Sequence, residues 1–138
     1  KELFFTDVEG KTKDEVLKNL CRKVEQEKGL PETFTASVLK REELTPTDYG
    51  NLVALPHPER AFQERAFVAV AVLKEPIFWF RQKVQVVFLT AIGREEDENL
   101  QQFYEATTDL ILRPADVQNL IRHPDYDRLI QLLRRAEE

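Results

Sequence analysis

Four segments of this chain have the apolar composition and length of β-strands. They are Leu3–Val8, Leu52–Leu55, Ala66–Leu73 and Lys83–Ile92. The two longer segments are nearly continuously apolar, a pattern typical of strands that are covered on both faces of a sheet. Between them, Pro76 argues against a further central strand, because proline cannot donate a ladder hydrogen bond. We therefore expect Trp79, which follows that proline, to pack at an edge.

Five further segments repeat apolar residues at the three- and four-residue spacing of amphipathic helices. They begin after Thr12, at Pro31, after Asp97 as a candidate N-cap, at Pro114 and at Pro124. Thr12 followed three residues later by Glu15 is a capping-box pattern, and Gly29 is the expected end of the first helix. The second helix is followed by Asp48–Asn51, which has the chemistry of a turn.

The order of these elements is one strand, two helices, three strands and three helices. It predicts an α/β fold, a three-layer sandwich in which a mixed β-sheet is flanked by helices on both faces. With 138 residues, of which 42% are hydrophobic, the chain has the size and apolar content of one domain. We expect that domain to span residues 1–138. Because the chain starts at Lys1 without an initiator methionine, we expect it to be excised from a longer polypeptide.

Composition and charge argue against several classes of function. A net charge of −5 disfavours a nucleic-acid-binding surface, and no apolar run approaches the roughly 20 residues of a membrane-spanning helix. Neither direct nucleic-acid contact nor membrane insertion is therefore expected. The single cysteine, Cys21, permits no internal disulfide and favours the cytoplasm. Two widely separated histidines and this cysteine do not make a zinc site, and no glycine-rich phosphate loop is present, so we expect neither metal nor cofactor.

The candidate chemistry is concentrated around His57, in the stretch LVALPHPER. The simplest interpretation of a lone histidine is that it closes a strand and bonds to the backbone. Three features favour a functional role: a buried strand end, where α/β sheets place ligand sites; a proline on each side; and Arg41, which the intervening turn can bring back towards the ring. Glu59 is a weaker candidate. His123, the other histidine, lies between predicted helices and is expected to be structural.

A rigidly held imidazole near an arginine is suited to be a transient phosphoryl acceptor. The neutral ring is nucleophilic near neutral pH, because free histidine titrates near pH ~6.5. A guanidinium can pair with phosphoryl oxygens in a bidentate way and offset the charge that is spread over them during transfer.

The string SVLKREELTPTDYGNLVALPHP, residues 37–58, resembles the mannitol/fructose-type EIIA domain of the bacterial phosphoenolpyruvate-dependent sugar phosphotransferase system. That family has an arginine–acid pair at a helix end, a Thr-x-x-Gly-Asn turn and a strand that ends in Val-Ala-(Ile/Leu)-Pro-His. All three occur here in order. The resemblance continues through VAVLKEPIFW, KVQVVFLTAI and NLQQFYEATTDLI, so it covers essentially the whole chain and implies the same mixed sheet between helical layers.

The resemblance also implies a role for each matching residue. His57 matches the family's phosphorylated histidine, which receives phosphate from the phosphocarrier HPr and passes it to a cysteine of a IIB domain. Arg41 matches the active-site arginine, and Glu59 lies near an acidic residue of some members. Cys21 does not match the IIB cysteine. Transport-type members often carry a second histidine at the start of the helix after the VVFLTAI strand, where this chain has Asn99.

Asn99, together with the YGNLVALPHP and EPIFW segments, makes the chain more similar to the EIIA-like domains at the C-terminus of sugar-operon antiterminators and activators. In such regulators the phosphohistidine is a signal, because its added negative charge biases domain association. The resemblance thus implies a regulatory domain whose partners are HPr and the adjoining regulator domains. The alternative is a sugar-transport component, a phosphotransferase that passes its phosphoryl group to IIB.

Overall fold

A computed structural model describes residues 2–95 and 98–134 of the chain. In chain order its elements are β1 (Phe4–Phe5), α1 (Lys13–Lys28), α2 (Thr33–Leu44), β2 (Asp48–Gly50), β3 (Val53–Ala54), β4 (Phe67–Phe78), β5 (Lys83–Ala91), α3 (Glu98–Ile111), α4 (Pro114–Arg122) and α5 (Tyr126–Arg134). The strands form one sheet in the order β1-β4-β5-β3-β2.

The sheet is mixed and its central strands are buried on both faces. β1 pairs in parallel with β4, and β3 in parallel with β5, whereas β4–β5 and β2–β3 are antiparallel. Side chains of the central strands alternate between two apolar clusters, as the two-residue period of a strand requires. One cluster joins the sheet to α1 and α2, and the other joins it to α3, α4 and α5. The predicted three-layer α/β sandwich is confirmed.

The strands differ from the prediction in detail. β1 is much shorter than Leu3–Val8, and β2 is an additional edge strand where a turn was expected. β4 continues through Pro76, which lies at a register shift between Val72 and Ile77. This proline is tolerated because β1 pairs only with the first part of β4, so the later part lies at the outer edge of the sheet.

Trp79 lies in the core rather than at an edge. Its side chain is 4% exposed, and its Nε1–H donates to Oε2 of Glu42 at 3.0 Å. Glu42 is 2% exposed and also accepts from the N–H and the hydroxyl of Thr47, each at 2.7 Å. Three donors therefore replace the water that this carboxylate loses on burial. The expectation for Trp79 was wrong because the hydrogen-bond partner of its indole lies on α2, which is far from Trp79 in the sequence.

The ends of α1 follow the predicted local chemistry. The hydroxyl of Thr12 accepts a hydrogen bond from the N–H of Glu15 at 3.2 Å. The carboxylate of Glu15 accepts in turn from the N–H of Lys11 at 2.8 Å, one residue before the position usual in a capping box. Gly29 ends the helix in the left-handed region, with φ 64°. Both ends of α1 are confirmed.

The other helix starts are set by proline and by side-chain capping. Pro114 is the first residue of α4, as predicted, whereas α2 and α5 begin two residues after Pro31 and Pro124. At α5 the carboxylate of Asp125 accepts from the N–H of Arg128 at 2.7 Å, which moves the start past the proline. The predicted N-cap Asp97 lies outside the described residues.

Candidate functional site

A tight turn connects β2 to β3 and fixes where β3 begins. Gly50, Asn51 and Leu52 all have positive φ, at 124°, 50° and 70°. A leucine in this region costs on the order of 1–2 kcal/mol, so its surroundings must hold it there. The Asn51 amide donates to the Ile111 carbonyl, and the Leu52 carbonyl accepts the N–H of Gln85 at 2.8 Å. The turn is thus anchored on both α3 and β5.

His57 lies where the carboxyl ends of two parallel neighbouring strands meet. Just beyond β3, the carbonyl of Pro56 accepts a hydrogen bond from the N–H of Thr90, near the end of β5, at 2.9 Å. On its other side, the N–H of Leu55 donates to the carbonyl of Thr47, between α2 and β2, at 3.0 Å. The histidine therefore sits at the edge of the sheet where α/β folds bind ligands.

The His57 ring has a defined orientation. Its Nδ1 lies 3.2 Å from the carbonyl oxygen of Leu55. A carbonyl oxygen can only accept, so Nδ1 carries the proton in this contact, and in the neutral form of the ring the lone pair is then on Nε2. Pro56 and Pro58 are buried on either side of the histidine, which itself is only partly buried. The restricted backbone on both sides of the histidine thus limits how the ring can move.

Glu59 is joined to α2 through its backbone. Its N–H donates to the hydroxyl oxygen of Ser37 at 2.7 Å, while its own side chain is exposed. Glu59, Lys40 and Arg60 line a shallow depression of about 460 Å³, and the Arg60 guanidinium lies 3.9 Å from the ring centre of Phe62. The depression beside the segment that follows His57 is therefore lined by two cations and one carboxylate.

Arg41 lies one helical turn after Ser37 and is half-buried. Residues four apart share a face of a helix, so Arg41 is on the side of α2 that meets the segment after His57. Its Nη1 donates to the carbonyl of Thr45 at 2.9 Å, which directs the side chain towards the C-terminal end of the helix. The contact of this helix face with the segment after His57 is made by Ser37, while the Arg41 side chain contacts the Thr45 carbonyl.

Asn99 is exposed in the first turn of α3. Together with Phe103 and Ile130 it lines a shallow groove between α3 and α5. Further along α3, the hydroxyl of Tyr104 donates to Oγ1 of Thr90 at 3.0 Å, and so reaches the strand end that supports the histidine. The start of α3 therefore faces α5 through Asn99, and about a turn later the helix contacts the end of β5 through Tyr104.

Three polar residues of this region carry no motif that marks them in the sequence, and sequence reasoning missed them. They are Ser37, Thr90 and Tyr104. Each acts on a partner from another element, so no local pattern reveals the contact. Ser37 alone had an available signal, because it precedes Arg41 by one helical turn.

A larger groove than either of these shallow ones lies elsewhere in the described part of the chain. It has a volume of about 1200 Å³ between the first half of α1 and the end of β4, and both acidic and basic side chains line it, among them Glu15, Lys18 and Arg22. Within residues 2–95 and 98–134, no three histidine, cysteine or acidic side chains are grouped so as to hold a metal ion. No helix in these ranges is both long and apolar enough to cross a bilayer.

Sequence comparison points to one family. The model of the family described as "phosphoenolpyruvate-dependent sugar phosphotransferase system, EIIA 2" matches residues 1–136. The probable licABCH operon regulator of Bacillus subtilis (strain 168) is 36% identical over 129 residues, which are 94% of this chain and 20% of the regulator. The transcriptional regulator ManR of the same organism is 27% identical over 120 residues, 87% of this chain and 18% of ManR. The chain spans about a fifth of the length of these curated relatives.

The fold is shared with solved structures. A chain in the complex of enzyme IIAMTL and phosphorylated enzyme IIBMTL from Escherichia coli matches with a TM-score of 0.76 at 17% identity. The match covers 94% of this chain and 93% of that chain. At this level of identity, the likeness shows a common fold.

Proposed function

Because this chain belongs to the EIIA type-2 family of the phosphoenolpyruvate-dependent sugar phosphotransferase system, we propose that it accepts a phosphoryl group from the phosphocarrier HPr on Nε2 of His57. The observation that carries the proposal is the contact of Nδ1 with the Leu55 carbonyl, which leaves Nε2 as the nucleophilic nitrogen. The two buried prolines keep the ring in that orientation before a donor arrives, so little ordering is required at the moment of transfer.

The transfer exchanges one phosphorus–nitrogen bond for another. The Nε2 lone pair attacks the phosphorus of the donor's phosphohistidine, and the donor imidazole keeps the electron pair of the bond that breaks. His57 keeps its Nδ1 proton, whose hydrogen bond to Leu55 stabilises the positive charge that the ring gains. Arg41, on the adjoining face of α2, pairs with the phosphoryl oxygens as charge spreads over them.

In the parent protein we propose that this phosphohistidine is a regulatory signal. The two curated relatives described above are an operon regulator and a transcriptional regulator, and each is about five times longer than this chain. Phosphorylation adds a charge of about −1.5 to −2 to a surface that carries Lys40, Arg60 and Glu59. That change alters how the surface associates with adjoining regulator domains in the cytoplasm, and so reports whether sugar is being taken up.

A second candidate function is sugar transport. The structural match to a complex of enzyme IIAMTL with phosphorylated enzyme IIBMTL favours it, since a transport EIIA passes its phosphoryl group to a IIB cysteine. Asn99 argues for the regulatory function, because an amide at this position can donate a neutral hydrogen bond but cannot become cationic as a second histidine can.

The experiment is a phosphorylation assay with matched histidine variants. The chain is incubated with phosphoenolpyruvate, enzyme I and HPr, and acid-labile, base-stable phosphate is measured. We expect wild type to be labelled and His57→Ala to take no label. His123→Ala should label like wild type, because His123 is exposed at the α4–α5 junction. Arg41→Ala should label at least about tenfold more slowly. Equal labelling of wild type and His57→Ala would refute the proposal.

A IIB domain separates the two functions. If the labelled chain keeps its phosphate when a cognate phosphotransferase IIB domain is added, the regulatory function is supported. Rapid loss of label to the IIB cysteine supports the transport function instead.

A further inference from the structure

We propose that Ser37 is a positioning residue for this transfer: its hydroxyl holds the backbone that follows His57 against the helix that carries Arg41. This inference rests on the proposed function and extends it to a residue to which the family resemblance assigned no role. It is carried by the hydrogen bond from the N–H of Glu59 to Oγ of Ser37, at 2.7 Å.

The segment 55–59 has few backbone groups with which to hold itself in place. Pro56 and Pro58 have no N–H, so two of its five residues cannot donate. Before the histidine, the N–H of Leu55 is held by a backbone carbonyl, at 3.0 Å. After the histidine, the N–H of Glu59 is held by the Ser37 hydroxyl. Within the described residues, the Ser37 side chain therefore anchors the far side of the segment.

The helix that supplies this anchor is itself firmly packed. Phe34 and Val38, on either side of Ser37 along α2, are fully buried in the core. Ser37 is 8% exposed, so its hydrogen bond is largely protected from water. Because Ser37 and Arg41 lie four residues apart, they are separated by about 6 Å along the helix axis. The hydroxyl thus fixes the backbone of the histidine segment at one helical turn from the guanidinium.

This arrangement predicts a specific kinetic effect. Phosphoryl transfer depends on holding the acceptor nitrogen and the charge-stabilising group in one geometry. Without the hydroxyl, Glu59 no longer ties the segment to α2, and the distance between ring and guanidinium varies more. We expect Ser37→Ala to slow phosphorylation by about two- to tenfold, the range that corresponds to one neutral hydrogen bond.

The test compares substitutions of Ser37 with a control on the same helix. Ser37→Ala removes the hydroxyl, Ser37→Cys keeps its volume with a much weaker hydrogen-bonding group, and Ser37→Thr restores a hydroxyl. Thr35→Val is the matched control, because the Thr35 hydroxyl donates to Glu25 of α1 at 2.6 Å and does not face the histidine segment. Labelling by phosphorylated HPr is followed in single turnovers, and exchange of the Glu59 amide proton is measured by NMR.

We expect Ser37→Ala and Ser37→Cys to slow labelling and to speed exchange of the Glu59 amide. Ser37→Thr should recover both, and Thr35→Val should change neither. In a double-mutant cycle, Ser37→Ala should have almost no further effect once Arg41 is alanine, because positioning matters only while the guanidinium is present. A merely structural role would slow both backgrounds equally and would overturn the inference.

The remaining outcomes separate this inference from the proposed function. If wild type labels and Ser37→Ala labels as fast, the function stands and the role of Ser37 is wrong. If Ser37→Ala does not fold, Ser37→Cys decides the question in the same way. If wild type takes no label at all, the proposed function and the role of Ser37 in it fail together. Unchanged exchange of the Glu59 amide in a folded Ser37 variant also overturns the inference.

Discussion

Among the polar residues, Glu42 is the one whose substitution we expect to destabilise the fold most. Glu42→Ala removes the carboxylate that accepts hydrogen bonds from the Thr47 N–H, the Thr47 hydroxyl and the Trp79 indole. The hydroxyl can rotate to another acceptor, but the two N–H groups cannot. A buried donor without a partner costs about 1–3 kcal/mol, so we expect a loss of about 2–6 kcal/mol. That is a large part of the roughly 5–15 kcal/mol that stabilises a domain.

Urea unfolding measures this loss directly. Far-UV circular dichroism follows the helices, and fluorescence of Trp79, the one tryptophan in the chain, follows the site of the change. Glu43→Ala is the control, because Glu43 is the exposed neighbour of Glu42 on the same helix and should change stability by less than about 0.5 kcal/mol. If Glu42→Ala lies within about 1 kcal/mol of wild type, the buried network does not hold the α2–β2 connection.

Four further outcomes test other parts of the structure. Asn99→His should speed transfer from His57 to an added IIB domain while loading from HPr stays unchanged; an unchanged transfer rate would count against the assignment of this position. Thr107→Val should raise the free energy of unfolding by about 1 kcal/mol, because the fully buried Thr107 hydroxyl has no hydrogen-bond partner among residues 2–95 and 98–134; a loss in urea titration would contradict this. Gly93→Ala should lower the free energy of unfolding by about 1–3 kcal/mol, since a Cβ there would lie 2.4 Å from the carbonyl oxygen of Glu64. Wild-type stability would show that the segments around Gly93 and Glu64 move apart at little cost in free energy. Burial, and to a lesser degree the charge of Glu25, raises the pKa of the Cys21 thiol far above its ordinary value, so a thiol reagent at pH 8 should label the chain only in denaturant; rapid labelling of the folded chain would disprove the burial.

The parts of the fold that could be predicted are those set by neighbours in sequence. Thr12 and Gly29 end α1 because capping and left-handed backbone involve only a few adjacent residues. β2 could not be predicted, because its residues Asp48–Gly50 have turn composition and become a strand only by pairing with β3. Trp79 was misplaced for a related reason, since its burial depends on a carboxylate 37 residues away.

The candidate site divides in the same way. The sequence alone indicates His57, because its prolines and the preceding apolar run are local. The orientation of its ring could be expected only in outline, since the contact with Leu55 depends on how the chain bends after β3. Thr90 could not be found, because it reaches the histidine segment from another element, and the signal for Ser37 was only its spacing of one helical turn from Arg41. Asn99 stays a prediction, which the IIB experiment addresses.

The link between Pro56 and Thr90 has a consequence for the order of events during synthesis. His57 leaves the ribosome well before β5, and β5 supplies the N–H that holds the Pro56 carbonyl. A nascent or truncated chain that stops short of Thr90 therefore carries the histidine without this hydrogen bond from β5. Phosphorylation at His57, as proposed, should then be confined to copies that have completed the sheet. Misfolded or unfinished chains would stay unphosphorylated, and the modification would mark only chains with a complete sheet.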